Sequence, residues 1–178
     1  MSPVKKVVLI VLFGVPNVLL AQSDMFKSQR ELIGKITDEI QVTHYLQNEP
    51  SDKNYNNKFK VLEFWATWCS PCLKAVPHLN RLQEKFRGQN IVFLSITYEN
   101  PEKTLHTFQK VKFETVVVST TTRAIHKKRK VQDNGTMSLP RTVLIDNENR
   151  IVWYGSPKEL TENGIRKFLN GKPITDQQ

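Results

Sequence analysis

Phe64-Trp65-Ala66-Thr67-Trp68-Cys69-Ser70-Pro71-Cys72 is the stretch that decides the fold. The residues leading into it, Phe59 to Trp65, have the apolar and aromatic content of a strand. Ser70 to Arg87 reads as a helix: Leu73, Val76, Leu79, Leu82 and Phe86 recur at spacings of three and four, and Gly88 stops the pattern. Pro77 sits inside that helix and predicts a kink. The two cysteines therefore stand at a strand-to-helix junction. A helix N-terminus presents unpaired N–H groups and a partial positive charge, which stabilise a thiolate. On this reading Cys69 faces out of the turn and attacks a disulfide, whereas Cys72, one turn into the helix, resolves the mixed disulfide. Ser70 and Pro71 between them help to set the redox potential.

Other uses of a cysteine pair fit less well. A structural zinc site needs four ligands, and neither a second Cys pair nor a close His pair exists; His44, His78, His106 and His126 are scattered. Covalent haem needs a histidine directly after Cys72, where Leu73 stands. An inert disulfide across so short a loop gains little chain entropy. The expectation is a redox-active Cys69–Cys72 pair that needs neither metal nor cofactor.

Outward from the motif, the chain alternates strands with helices. Ile91 to Thr97 is an apolar run suited to a buried parallel strand, and Asn100-Pro101 starts a helix that ends near Lys110. Thr115 to Ser119 is β-branched, and Thr121 to Lys130 is a candidate helix. Arg141 to Asp146 and Arg150 to Tyr154 read as a hairpin joined by Asn147-Glu148-Asn149. Ser156-Pro157-Lys158-Glu159 has the capping-box pattern and predicts the start of a last helix. Residues 22–58 are polar, with a short alternation at Ile40, Val42 and Tyr45, and Asn48 to Lys58 reads as a surface loop. The sum is a three-layer α/β/α sandwich around a mixed central sheet.

The 178 residues, 39% hydrophobic and 24% charged, suit one globular domain and exclude a disordered chain or a membrane bundle. A formal charge of +9 points to anionic partners or surfaces without implying nucleic acid, which is not expected as a partner. His126-Lys127-Lys128-Arg129-Lys130 is a basic run, read as a solvated face, with a docking patch for an anionic partner as the alternative. His78 is read as exposed, with no catalytic role. At the N-terminus, Lys5 and Lys6 precede a charge-free, mostly apolar run from Val7 to Ala21. Residues 1–21 read as a secretory signal peptide, with an uncleaved anchor as the alternative. The expected location is periplasmic or otherwise extracytoplasmic. Residues 22–58 then form an N-terminal extension with a short strand region, 59–172 the redox domain, and 173–178 a tail.

The stretch Phe64–Cys72, Pro77, and Ser138-Leu139-Pro140-Arg141-Thr142 together resemble the thioredoxin superfamily, and within it the TlpA/ResA-like thiol–disulfide oxidoreductases. The likeness covers about residues 32–170, with Pro101 to Ser119 as the helix and strand that this group inserts. It implies a cis-proline turn at Leu139-Pro140 beside the sulfurs, with the Leu139 backbone pairing with bound substrate. It implies a buried acid at Glu63, six residues before Cys69, that accepts the proton of the second thiol; a surface carboxylate on a strand edge is the other reading. Trp68 is placed on the active-site rim, or in simple packing. Arg141 stands where the family often has Thr, beside whatever docks there. The implied activity is reduction of disulfides in exported proteins, apocytochromes among them, with a membrane-embedded electron donor restoring the dithiol. Oxidase or isomerase action on the same fold, and a binding module without turnover, are the competing functions.

Overall fold

The computed structural model describes residues 26–174. The expected signal peptide, Met1–Ala21, and the tail beyond residue 174 lie outside the described residues. Six strands make one mixed sheet in the order β1-β4-β3-β2-β7-β8. They are β1 (His44–Gln47), β2 (Phe59–Phe64), β3 (Ile91–Thr97), β4 (Val116–Ser119), β7 (Arg141–Ile145) and β8 (Ile151–Gly155). The helices are α1 (residues 26–32), α2 (Ser70–Lys85), α3 (Pro101–Lys110), α4 (Ala124–Lys128) and α5 (Glu162–Leu169). A small ribbon, β5 (Gln132–Asp133) with β6 (Thr136–Met137), precedes β7.

β2, β3 and β4 run parallel, while β7 and β8 continue the sheet antiparallel on the other side of β2. Side chains on a strand alternate between faces. Leu62 and Phe64 of β2 join Ile96, Val143 and Tyr154 on one face, with Ile125 of α4 and Ile40 packed against them. Val61 and Trp65 face the other way, toward Val76 and Leu82 of α2 and Ile165 and Phe168 of α5. This is the expected three-layer sandwich.

The segment before β1 belongs to the same sheet. Ile36 bridges to Arg150 at the outer edge of β8, and β1 pairs with β4 at the opposite edge. Residues 37–43 run between them, with Ile40 buried in the core of that face.

Several local expectations are corrected. The last helix does not start at Ser156. Glu159 does bond the Ser156 N–H at 2.8 Å, but the motif closes a single turn. Leu160 is then drawn into the core, Thr161 is extended, and α5 begins at Glu162 with the Thr161 hydroxyl accepting from the Gly164 N–H. The helix expected over Thr121–Lys130 shrinks to the five residues of α4, because Arg123 adopts a left-handed conformation at its start. The basic run is not one solvated face: His126 and Arg129 are buried, Lys128 pairs with Asp38, and Lys130 lies 3.3 Å from Asp133. His78 is half-buried, with Nε2 2.8 Å from the Leu160 carbonyl. α2 ends at Lys85, and Gly88 takes φ +79° just beyond.

The hairpin turn, lacking glycine, uses Asn149 at φ 63°. Its side chain also accepts from the buried Lys60 Nζ at 2.8 Å, and Lys60 has the Lys58 carbonyl as its second partner. Asn149→Ala removes an acceptor from a buried ammonium and strains the turn, so it should cost about 2–3 kcal/mol in urea unfolding. Asn149→Gly keeps the turn unstrained and should cost less; equal losses would show that the Lys60 bond dominates.

Candidate active site

The parallel strands β2, β3 and β4 end on the same side of the sheet, and antiparallel β7 begins there. Four connections therefore meet at one end: Trp65–Cys69, Tyr98–Asn100, Thr120–Arg123 and Ser138–Pro140. The C-terminal ends of parallel strands are where open α/β sheets bind ligands.

Cys69 and Cys72 are joined as a disulfide, with S–S 2.05 Å. Cys69 occupies the N-cap position of α2, its N–H donating to the Ala66 carbonyl at 3.0 Å and its carbonyl accepting from the Leu73 N–H at 3.2 Å. Pro71 lies in the first turn, and that turn holds no acidic residue to oppose a thiolate. The outward-facing Cys69 expected from sequence is modified in this oxidised form: both cysteines are covered, 3% and 2% exposed. Ser70 and Pro71 are the exposed part of the motif. The pair packs with Trp65, Ala66, Val76, Phe113 and Val117, and Leu139 lies against that cluster.

The Leu139-Pro140 bond is cis. The Leu139 N–H and carbonyl take no hydrogen-bond partner among the described residues. They form a short free backbone edge next to the cysteine cluster.

Glu63 is buried, 4% exposed, which removes the surface-carboxylate reading. It pairs with Thr142 across β2 and β7, and the Thr142 hydroxyl donates to one of its carboxyl oxygens. The other oxygen has no partner among the described residues. Burial pushes its pKa up to about 8, against the opposing pull of the Thr142 bond and the Arg141 charge. Its neighbour Phe64 presents a carbonyl 4.0 Å from Cys72 Sγ, so the acid sits one residue from the second sulfur's contact.

Three groups at this end escaped the sequence reading. Glu99, almost fully buried, accepts from the Thr67 N–H at 2.6 Å and from the Thr67 hydroxyl at 2.9 Å. It thereby ties the loop after β3 to the loop that carries the cysteines. Tyr98 bonds the indole N–H of Trp68 at 3.1 Å, and Trp68 is 60% exposed on the rim, not packed inside. His126 lies fully buried between Phe64 and Tyr98, with ring centroids 4.9 and 5.4 Å away and neither ring nitrogen bonded among the described residues. Burial holds its pKa down at about 3. The signal that would have found Glu99 and Tyr98 is their place at the end of a parallel strand. Among the described residues no cluster of His, Cys, Asp and Glu is placed to hold a metal ion.

The sequence pattern of the AhpC/TSA family matches residues 33–154. The chain belongs to that family. It is 26% identical over 173 residues to the thiol-disulfide oxidoreductase ResA of Bacillus thuringiensis subsp. konkukian, covering 95% of this chain and 94% of that one. It is similar to a crystal structure of a Bacteroides vulgatus protein named as a thiol-disulfide oxidoreductase, with TM-score 0.56, 27% identity, and 65% and 81% of the two chains covered. A reduced 2-Cys peroxiredoxin of Plasmodium vivax matches with TM-score 0.62, over 79% of this chain and 95% of that one, at 16% identity, a likeness of fold alone. The AhpC/TSA membership and the thioredoxin-like neighbours agree with the fold expected from the Phe64–Cys72 stretch.

Two buried titrating groups make stability depend on pH. Glu63 has a raised folded pKa, so its contribution is intact below about pH 4.5 and is lost as pH rises toward 8. Glu63→Gln should therefore gain on the wild type by a few kcal/mol in urea unfolding between pH 4.5 and 8, and no growing gap would contradict the raised pKa. His126 has a lowered pKa, so its contribution is intact above about pH 6.5 and is lost as pH falls toward 3. His126→Phe should flatten the acid limb of the same stability curve, whereas an unchanged limb would mean that the ring is not held neutral.

Proposed function

We propose that this thiol–disulfide oxidoreductase works outside the cytoplasm, in the reducing direction, on disulfides of exported proteins. The observation that carries the reading is the Cys69–Cys72 disulfide at the N-terminus of α2, packed with Leu139 next to a cis proline. The run from Val7 to Ala21 after Lys5 and Lys6 supports export, and the ResA name of its curated relatives supports the class of chemistry.

In the reduced enzyme, the Cys69 thiolate attacks one sulfur of a substrate disulfide. A mixed disulfide forms and the other substrate sulfur leaves as a thiolate. Cys72 then loses its proton and attacks Cys69 Sγ. The Cys69–Cys72 bond forms, the mixed disulfide breaks, and the second substrate thiolate is released. The substrate has gained two electrons and the enzyme has lost two. A membrane-embedded dithiol donor returns them.

The residues around the pair fit these steps. The α2 N-terminus stabilises the Cys69 thiolate. The free Leu139 backbone edge offers hydrogen bonds to an extended substrate strand. Glu63 has one unbonded oxygen and a pKa raised to about 8, and its ionised form, which grows as the pH approaches that value, accepts the proton that Cys72 gives up. Thr142 orients that carboxyl, and Glu99 fixes the loop that presents Cys69.

Insulin reduction by the protein with dithiothreitol tests the activity. Cys69→Ser should abolish turnover, and Cys72→Ser should accumulate a mixed disulfide on Cys69. Intact protein without turnover would turn the reading toward a binding module. The equilibrium potential of the pair tests direction: a value near about −270 mV fits a reductant, and one near about −120 mV an oxidant that inserts disulfides.

A further inference from the structure

The active-site end carries a cation that the thiol chemistry does not use. Arg123 follows β4 in the Thr120–Arg123 connection, at the end of the sheet where the cysteine loop emerges. It is exposed, and its guanidinium carbon lies 4.3 Å from the centroid of the Tyr98 ring. Tyr98 in turn bonds the indole of Trp68, the residue before Cys69. A continuous arch thus runs from the nucleophile through Trp68 and Tyr98 to Arg123.

Three features leave this charge available. No carboxylate among the described residues lies within ion-pair distance of Arg123. The buried acid at this end, Glu99, spends both oxygens on Thr67, and the exposed Glu102 in the first turn of α3 forms no ion pair among the described residues. A guanidinium resting on an aromatic face keeps its N–H donors for a further partner, and those donors match a carboxylate. The backbone adds to this. Arg123 holds φ 58°, a conformation that costs a side-chain-bearing residue about 1 kcal/mol or more. Beneath the arch, His126 packs edge-on against Tyr98 and fixes the ring that carries the guanidinium.

We propose that Trp68, Tyr98 and Arg123 form a docking surface that selects disulfide substrates bearing an acidic side chain close to the reactive cysteine. The inference rests on the exchange chemistry proposed above. Trp68 covers the apolar part of the substrate near the sulfur, and Arg123 receives the carboxylate. The specificity is therefore set by a residue outside the basic run His126–Lys130, two of whose members are buried.

The test uses reduced full-length protein and three oxidants, with rates followed by tryptophan fluorescence. One is a peptide disulfide with glutamate on both sides of the cysteine. The second is its lysine counterpart, and the third is uncharged 2-hydroxyethyl disulfide. Arg123→Gln should slow the glutamate peptide about fivefold at low salt, the scale of an exposed ion pair. It should leave 2-hydroxyethyl disulfide unchanged and should not slow the lysine peptide. Arg123→Lys should recover part of the loss, and added salt should erase the difference between wild type and Arg123→Gln. Equal slowing of all three oxidants, or of none, overturns the docking surface. Wild-type protein that reacts with none of the three overturns the exchange chemistry itself, and the docking surface with it.

Discussion

The register of β2 is the constraint on which the site depends. Glu63 stands opposite Thr142 on β7 and Ser95 on β3, and Phe64 opposite Arg141 and Ile96. A slip of one residue would exchange the two faces. The carboxyl would then enter the apolar face beside Tyr154, and Phe64 would displace it from the Thr142 hydroxyl. The same register delivers the next residue, Trp65, whose N–H bonds the Ile96 carbonyl at 3.0 Å, and so aims the loop that ends in Cys69. Sheet pairing, acid placement and thiol placement are one arrangement.

Around the end of β2 the protein keeps two titratable groups uncharged over a common range. Glu63 on one face holds its proton to about pH 8, and His126 on the other stays neutral down to about pH 3. Well inside these limits both are largely neutral, and the ionised fraction of Glu63 grows as the pH approaches 8. The amides at the start of α2 then act on a Cys69 thiolate with little opposing charge from these two groups. That separation lets the rim vary for recognition without altering the interior that serves the proton transfer.

What was legible in the sequence was local. The helix carrying Cys72 announces itself through five apolar residues on one stripe, and β2, β3 and the β7–β8 hairpin through runs of apolar residues bounded by turn formers. Glu63 is visible through its distance from Cys69 once the likeness is recognised, and the cis bond at Pro140 only through that likeness. Burial of His126 was not legible, because a histidine within Lys and Arg looks solvated until the sheet and Tyr98 are folded over it. Glu99 left no pattern either: its bonds reach Thr67, 32 residues away, and connect two loops without periodicity. Ser156–Glu159 misled because its hydrogen bond forms in a closed turn as well as in a helix; the pull of Leu160 into the core decides between them.

The path from Ile36 to His44 has a mechanical consequence. It begins outside β8 and ends in β1, so it crosses six interstrand spacings, roughly 29 Å at about 4.8 Å each. Its eight residue steps reach roughly 28 Å when fully extended. So few residues can make the crossing only because the twist of the sheet brings its two edges toward one another. The segment joins the two edges across the face that holds Ile40, and a shorter one would have to draw the edges closer or release one of them. A load applied through the N-terminal end of the chain would meet the β8 edge first, where Gly34, Lys35 and Thr37 bond Ile151 and Asn149, and only what those bonds passed on would reach β1 and β4.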